Sequence, residues 1–143
     1  DPQCDLRICN ASARFGVPVK NLGLTESYDE LEGMMRVIGP AASLELLLEG
    51  RIWNAREAYE KGLVSRVVPD AGVVEEAYAA ARRIAAGAPQ AARRHKKLVR
   101  RLADTRPHTD VERAEGNACF DTEDFRIGYR AFLDKKKPEF KGR

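Results

Sequence analysis

The chain has 143 residues, of which 43% are hydrophobic and 33% charged, with a formal net charge of +3. That balance is globular and rules out a disordered chain, while so slight a charge gives no reason to expect nucleic acid. The length suffices for one core of ordinary domain size, and no apolar run approaches the roughly 18 to 20 residues that span a bilayer.

Segments 4–9 and 13–17 mix apolar and polar residues around Asn10 and Gly16, which predicts a strand, a turn and a second strand. Residues 20–33 carry Gly23, Ser27, Asp29 and Gly33 without a clear period. From Ala41 to Leu48 the apolar positions are dense. Pro40 suits the first turn of a helix and Gly50 its end. Asn54 and Glu57 have capping-box spacing for a second helix, closed by Gly62. Residues 63–68 alternate like a strand, and Pro69-Asp70-Ala71-Gly72 turns the chain. Trp53, between Ile52 and the Asn54 cap, reads as a packing residue.

Beyond Pro69 the pattern is helical. Val73, Val74, Ala77, Ala80, Ala81 and Ile84 recur at spacings of three and four, predicting a helix over 73–86. Pro89 restarts a helix through Leu102, and Thr109–Cys119 forms another. Thr122 reads as an N-cap, followed by Phe125, Tyr129 and Phe132 on one face. The expected division is therefore a mixed α/β region over 1–68 and a helical region over 69–143.

Cys4, Cys9 and Cys119 are odd in number and lack metal-ligand spacing, so no metal site is expected. Asp1-Pro2-Gln3 has neither a basic start nor an apolar stretch, so no signal peptide is read there. Three thiols without an export signal suggest a reduced, cytoplasmic protein. His95 and His108 are not placed to activate a thiol. The basic residues Arg93, Arg94, Lys96, Lys97, Arg100 and Arg101 recur opposite Leu98, Val99 and Leu102. A solvated helix face accounts for them, and no aromatic residues interleave for base stacking.

Four motifs in order carry a resemblance. Cys4-Asp5-Leu6-Arg7-Ile8 and then residues 13–24, Ala-Arg-Phe-Gly-Val-Pro-Val-Lys-Asn-Leu-Gly-Leu, form the first. Residues 37–42 with 45–51 form the second, 55–58 with 62–69 the third, and the tail 122–143, ending in Lys-Pro-Glu-Phe-Lys-Gly-Arg, the fourth. Together they resemble the middle and end of an enoyl-CoA hydratase/isomerase (crotonase) protein. The fold implied is the latter part of a crotonase-like ββα spiral core, followed by an all-helical C-terminal region.

The activity implied is stabilisation of a thioester enolate by two backbone N–H groups while carboxylates move protons. Coenzyme A enters as part of an acyl-CoA substrate, so no separate cofactor is expected. The resemblance also implies a homo-oligomer, a trimer or dimer of trimers, built through the C-terminal helices.

Two departures matter. Val19 stands where the family's motif has a catalytic Glu after the Pro, and a Val cannot act as general acid or base. The oxyanion-hole segment and the other catalytic Glu are expected upstream of Asp1. Asp1-Pro2-Gln3 also departs from the small apolar residues expected before Cys4-Asp5. The chain therefore reads as a piece of a longer protein, or alternatively as a degenerate member that keeps only binding and assembly surfaces.

Glu26 is the nearest replacement carboxylate, since residues 22–26 resemble, offset by one, the loop carrying the base in some enoyl-CoA isomerases. The plainer reading makes Glu26, Asp29, Glu30 and Glu32 an acidic, solvated face. Ser27-Tyr28-Asp29-Glu30-Leu31-Glu32-Gly33-Met34 replaces the family's Gly-rich segment, so Tyr28, Met34 and Met35 would reshape the acyl pocket. The substrate-binding set implied by the resemblance is Pro18, Val19, Leu24, Phe132 and Lys135. The resemblance implies that Phe132 covers the apolar arm of coenzyme A and Lys135 meets a phosphate, in this subunit's site or a neighbouring subunit's.

Overall fold

The structure is a computed structural model that describes residues 4–143. The expectation about Asp1-Pro2-Gln3 lies outside the described residues. The chain divides into two compact units, Asp1–Ala79 and Ala80–Arg143.

In the first unit, strand β1 (Ile8–Asn10) pairs in parallel with β4 (Arg66–Val68), setting Cys9 beside Val67. Strand β2 (Arg14–Gly16) pairs antiparallel with β3 (Ile52–Asn54), setting Phe15 opposite Trp53. The two segments read as neighbouring strands thus belong to separate two-stranded sheets. β3 was not legible because three residues between two helices are too few to show a period of two. The strand expected over 63–68 begins only at Arg66. The N–H groups of Leu63 and Val64 instead return to the Ala58 carbonyl at 2.8 and 3.2 Å, closing the preceding helix.

Between the strands run α1 (Tyr28–Leu44), a π-helical turn (Glu45–Glu49) and α2 (Ala55–Glu60). The helix expected from Pro40 is present, but α1 begins twelve residues earlier, over the stretch without a clear period. Its start is fixed locally: Ser27 and Glu30 form a capping box. At Gly39 the backbone turns to φ 72°, ψ 175°, which kinks α1 immediately before Pro40. α2 starts on the Asn54–Glu57 capping box, as expected.

Cys9, Ala55, Ala58 and Val64 form a buried cluster, with Ala13, Phe15, Leu63 and Val67 packed against it. Trp53 is completely buried. Its indole N–H donates to Glu45 Oε1 at 3.2 Å, and Lys61 Nζ lies 5.2 Å from its ring centroid. Glu45 also pairs with Lys61 at 2.6 Å and Arg51 at 2.8 Å, and Arg51 pairs in turn with Glu57 at 2.5 Å. Burial of an indole requires a partner for its N–H, and Glu45 supplies one.

After β4 come α3 (Val73–Ala85), which crosses from the first unit to the second, then α4 (Pro89–Leu102), α5 (Asp110–Asn117) and α6 (Glu123–Leu133). Thr109 and Glu112 form a third capping box, and Thr122 caps α6 by accepting from the Phe125 N–H at 3.1 Å. Asp124, only 3% exposed, accepts from the N–H groups of Lys141 at 2.6 Å and Gly142 at 3.0 Å. Its own N–H donates to the Arg143 carbonyl at 3.0 Å, so the last residues are strapped to the start of α6. No helix among the described residues is long and apolar enough to cross a membrane.

Candidate functional site

A short loop carries four of the candidate residues. Val17 precedes a 3-10 turn over Pro18–Leu22, with Pro18 at its first position. A proline there has no N–H to waste and its φ already suits the turn. The turn closes on its own carbonyls: Gly23 N–H donates to Lys20 O and Leu24 N–H to Val19 O, both at 3.2 Å. Pro18 is exposed, Val19 half-buried, Leu24 59% exposed, and Glu26 half-buried two residues further on. Pro18, Val19, Leu24 and Glu26 therefore lie along one stretch that ends at the α1 cap.

The electrostatics around Glu26 distinguish it from a solvated acid. Partial burial pushes its carboxyl above the usual 4.5, and the charge and hydrogen bond of Glu30 push in the same direction. Glu30 moves the opposite way. The Ser27 hydroxyl and N–H donate to its Oε2 at 2.6 and 2.8 Å, which favours the carboxylate and lowers its pKa. The two neighbouring carboxyls are thus pushed in opposite directions, Glu26 up and Glu30 down. Asp29 and Glu32 are exposed, as the solvated-face reading requires of them.

Phe132 and Lys135 sit together at the end of α6 in the second unit. Phe132 is 81% exposed. Lys135 has φ 54°, the one positive φ outside glycine among the described residues, and its N–H donates to the Phe132 carbonyl at 3.3 Å. Lys136 N–H returns to the Ala131 carbonyl at 2.9 Å, completing the helix end. A left-handed lysine costs about 1–2 kcal/mol of backbone energy, which the bonds closing the helix end offset.

The remaining candidates resolve into structural roles. Among the described residues no group of His, Cys, Asp and Glu could hold a metal ion. Cys9 is buried and desolvation raises its thiol pKa, which makes it inert. Along α4, Lys97 pairs with Glu115 at 2.6 Å. Arg101 donates to Glu112 Oε1 at 2.6 Å and to the carbonyls of Arg106 and Pro107 at 3.2 and 3.1 Å. That gathering of a loop by one guanidinium goes beyond the solvated face expected there. No local pattern marks Asp124 as a buried acceptor or Glu45 as the indole's partner, because both depend on residues distant in the chain.

Comparisons with known proteins place the chain in a family. The family model for enoyl-CoA hydratase/isomerase matches residues 2–143. A probable enoyl-CoA hydratase of Rhizobium meliloti (strain 1021) is 37% identical over 142 residues, covering 98% of this chain and 55% of its own length. A crotonyl-CoA hydratase of Syntrophomonas wolfei is 35% identical over 143 residues, covering 96% and 54%. The crystal structure of an enoyl-CoA hydratase/carnithine racemase from Magnetospirillum magneticum superposes with a TM-score of 0.93 at 46% identity, covering 98% of this chain and 52% of that one. An enoyl-CoA hydratase from Bacillus anthracis superposes with a TM-score of 0.90 at 32% identity, covering 99% and 56%. The chain spans about half the length of the curated relatives it matches.

Proposed function

Since this chain belongs to the enoyl-CoA hydratase/isomerase family, we propose that the protein binds an acyl-CoA thioester and isomerises a 3-enoyl chain rather than hydrating a 2-enoyl one. The observation that carries this reading is the pairing of Val19 with Glu26 on one loop: the first cannot move a proton, and the second has the environment to do so. Hydration needs a water held and activated while a proton is supplied, work that two carboxylates share in this family. Val19 removes one of those carriers and a polar anchor for the water.

Isomerisation needs less. One carboxylate takes the proton from C2 of the thioester, and the C2–H electron pair moves into C1=C2 as the carbonyl oxygen takes up charge, giving a dienolate conjugated with C3=C4. The same carboxyl then returns the proton to C4 as the enolate pair shifts into C2=C3. Glu26 is assigned that role, its carboxyl raised by burial and by Glu30. The charge that develops on the thioester oxygen is met by the family's pair of backbone N–H donors. In this reading Pro18, Val19 and Leu24 line the acyl side; Phe132 and Lys135 are assigned, separately and to a neighbouring subunit's ligand, to the coenzyme's apolar arm and a phosphate. Self-association through the C-terminal helices and a cytoplasmic setting complete the reading.

The second reading, a non-catalytic acyl-CoA binder, rests on Val19 alone. One assay separates the two: the protein and its Glu26→Gln variant, each given 2-enoyl and 3-enoyl thioesters. We expect turnover of the 3-enoyl substrate, reduced at least about a hundredfold by the substitution. Binding without turnover of either substrate establishes the second reading. Rapid hydration untouched by loss of Glu26 rejects both. Separately, Lys135→Glu should weaken acyl-CoA affinity at low salt, and an unchanged Kd would remove Lys135 from the site.

A further inference from the structure

The loop that carries Val19, Leu24 and Glu26 is closed internally only by backbone bonds, yet one of its side chains reaches well outside it. Lys20 Nζ donates to the Leu48 carbonyl at 3.1 Å, across 28 residues of sequence. Leu48 lies in the π-helical turn Glu45–Glu49, whose last carbonyls have no partner further along the helix. An ammonium at a helix C-terminus also meets the negative end of its dipole. The approach is made possible by Gly50. This residue ends the turn at φ 63°, and a Cβ there would lie 2.5 Å from Lys20 Cε and 3.3 Å from Cδ. Gly50 thus serves both the left-handed cap and the passage of the lysine stem.

We infer that Lys20 is a positioning residue, which tethers the 18–26 loop to the carbonyl end of the π-helical turn and so holds Glu26 in register with its substrate. The inference rests on the isomerase reading for its functional consequence, but the tether itself does not. The Lys20 and Val19 carbonyls accept the two bonds that close the loop, so release of Lys20 loosens the segment that leads directly to Leu24 and Glu26. A catalytic group displaced by about 1 Å can lose about a hundredfold in rate.

Two measurements on the intact protein test this, using Lys20→Met to remove the ammonium and Lys20→Arg to restore a donor. The first is amide hydrogen exchange. In Lys20→Met the Gly23 and Leu24 amides should exchange about tenfold faster while the amides of α2 stay unchanged, and Lys20→Arg should recover most of that protection. Unchanged exchange at Gly23 and Leu24 overturns the tether, whatever the enzyme turns over. The second is the kinetic split with a 3-enoyl thioester: kcat should fall about tenfold in Lys20→Met with KM within twofold, and Lys20→Arg should recover it. Faster exchange with unaltered kcat in an active enzyme overturns the positioning role. Faster exchange in an enzyme that turns over neither thioester upholds the tether and rejects the isomerase reading instead.

Discussion

The two compact units are stabilised by different physics. In the first, burial does most of the work: Trp53 and Ala58 are fully enclosed, Leu46, Ala55 and Val64 nearly so, and the charged groups Glu45, Lys61 and Arg51 gather round the indole. Among the described residues of the second, Ala80 and Asp124 are buried, at 8% and 3% exposure. Its cohesion comes from polar clasps, with Asp124 holding the tail and Arg101 holding the loop before α5. Large apolar side chains face outward in both units, Tyr28 at 92% in the first and Phe132 at 81% in the second. Phe120 and Phe125 meet edge to face at 5.1 Å, and Phe125 stacks on Tyr129 at 6.3 Å, yet all three remain substantially exposed. A unit with so little enclosed apolar surface leans on such polar clasps, although Arg94 Nη1 is buried there without a partner. Its exposed aromatic row is consistent with the self-association proposed above.

The comparison is broken most directly at Trp53. Trp53→Ala should destabilise the first unit by about 3–5 kcal/mol, since it removes a wholly buried ring and leaves Glu45 facing a cavity. Urea unfolding followed by circular dichroism measures it. A loss below about 1 kcal/mol would mean that the first unit is not organised by its core.

The corresponding cut in the second unit is Asp124→Ala. It leaves the part-buried N–H groups of Lys141 and Gly142 without their carboxylate acceptor, at a cost of about 1 kcal/mol. The tail should then be clipped by protease under conditions where the parent resists. A tail equally protected in the variant would show that contacts other than Asp124 hold it.

The smallest effect sharpens the contrast through pH. Arg101 foremost, then the Thr109 N–H, hold Glu112 down to a pKa of about 2, against an ordinary 4.5. A depressed carboxylate contributes stability that is fully present above 4.5 and is lost as pH falls through about 2. Acid should therefore weaken the second unit progressively across that window. Glu112→Gln should flatten the dependence while keeping the capping box, because glutamine can accept the same bond. Identical acid profiles for parent and variant would remove this pair from the account.

What was legible in the sequence was mostly what is short in range. Asn54 with Glu57 and Thr122 at the start of α6 announced helix starts correctly, since a cap is a contact between residues three apart. Ser27 and Glu30 offered the same signal for α1. It was obscured by Gly33 and by four acidic side chains that read equally well as a solvated face. The candidate loop was legible as a motif, with Val19 conspicuous in it, because the departure is a single residue in an otherwise matching run. Its environment was not: the raised Glu26 carboxyl depends on how closely the α1 cap draws Glu30 beside it.

By itself, then, the sequence determined the family, the starts of α2 and α6 and the absence of a carboxylate at position 19. Each is written in local spacing or in residue identity. The tertiary structure alone decided which strands pair. β1 takes β4 as its neighbour, and the Ser65 hydroxyl donates to the Arg7 carbonyl across 58 residues. It also decided that Trp53 is enclosed over Glu45, that Asp124 binds a tail 17 residues away, and that Lys20 reaches Leu48 past Gly50. The physical reason is that a cap or a helical stripe is satisfied by residues fixed a few positions apart. A strand edge, a buried carboxylate or an ammonium accepts whichever partner the whole chain's path delivers.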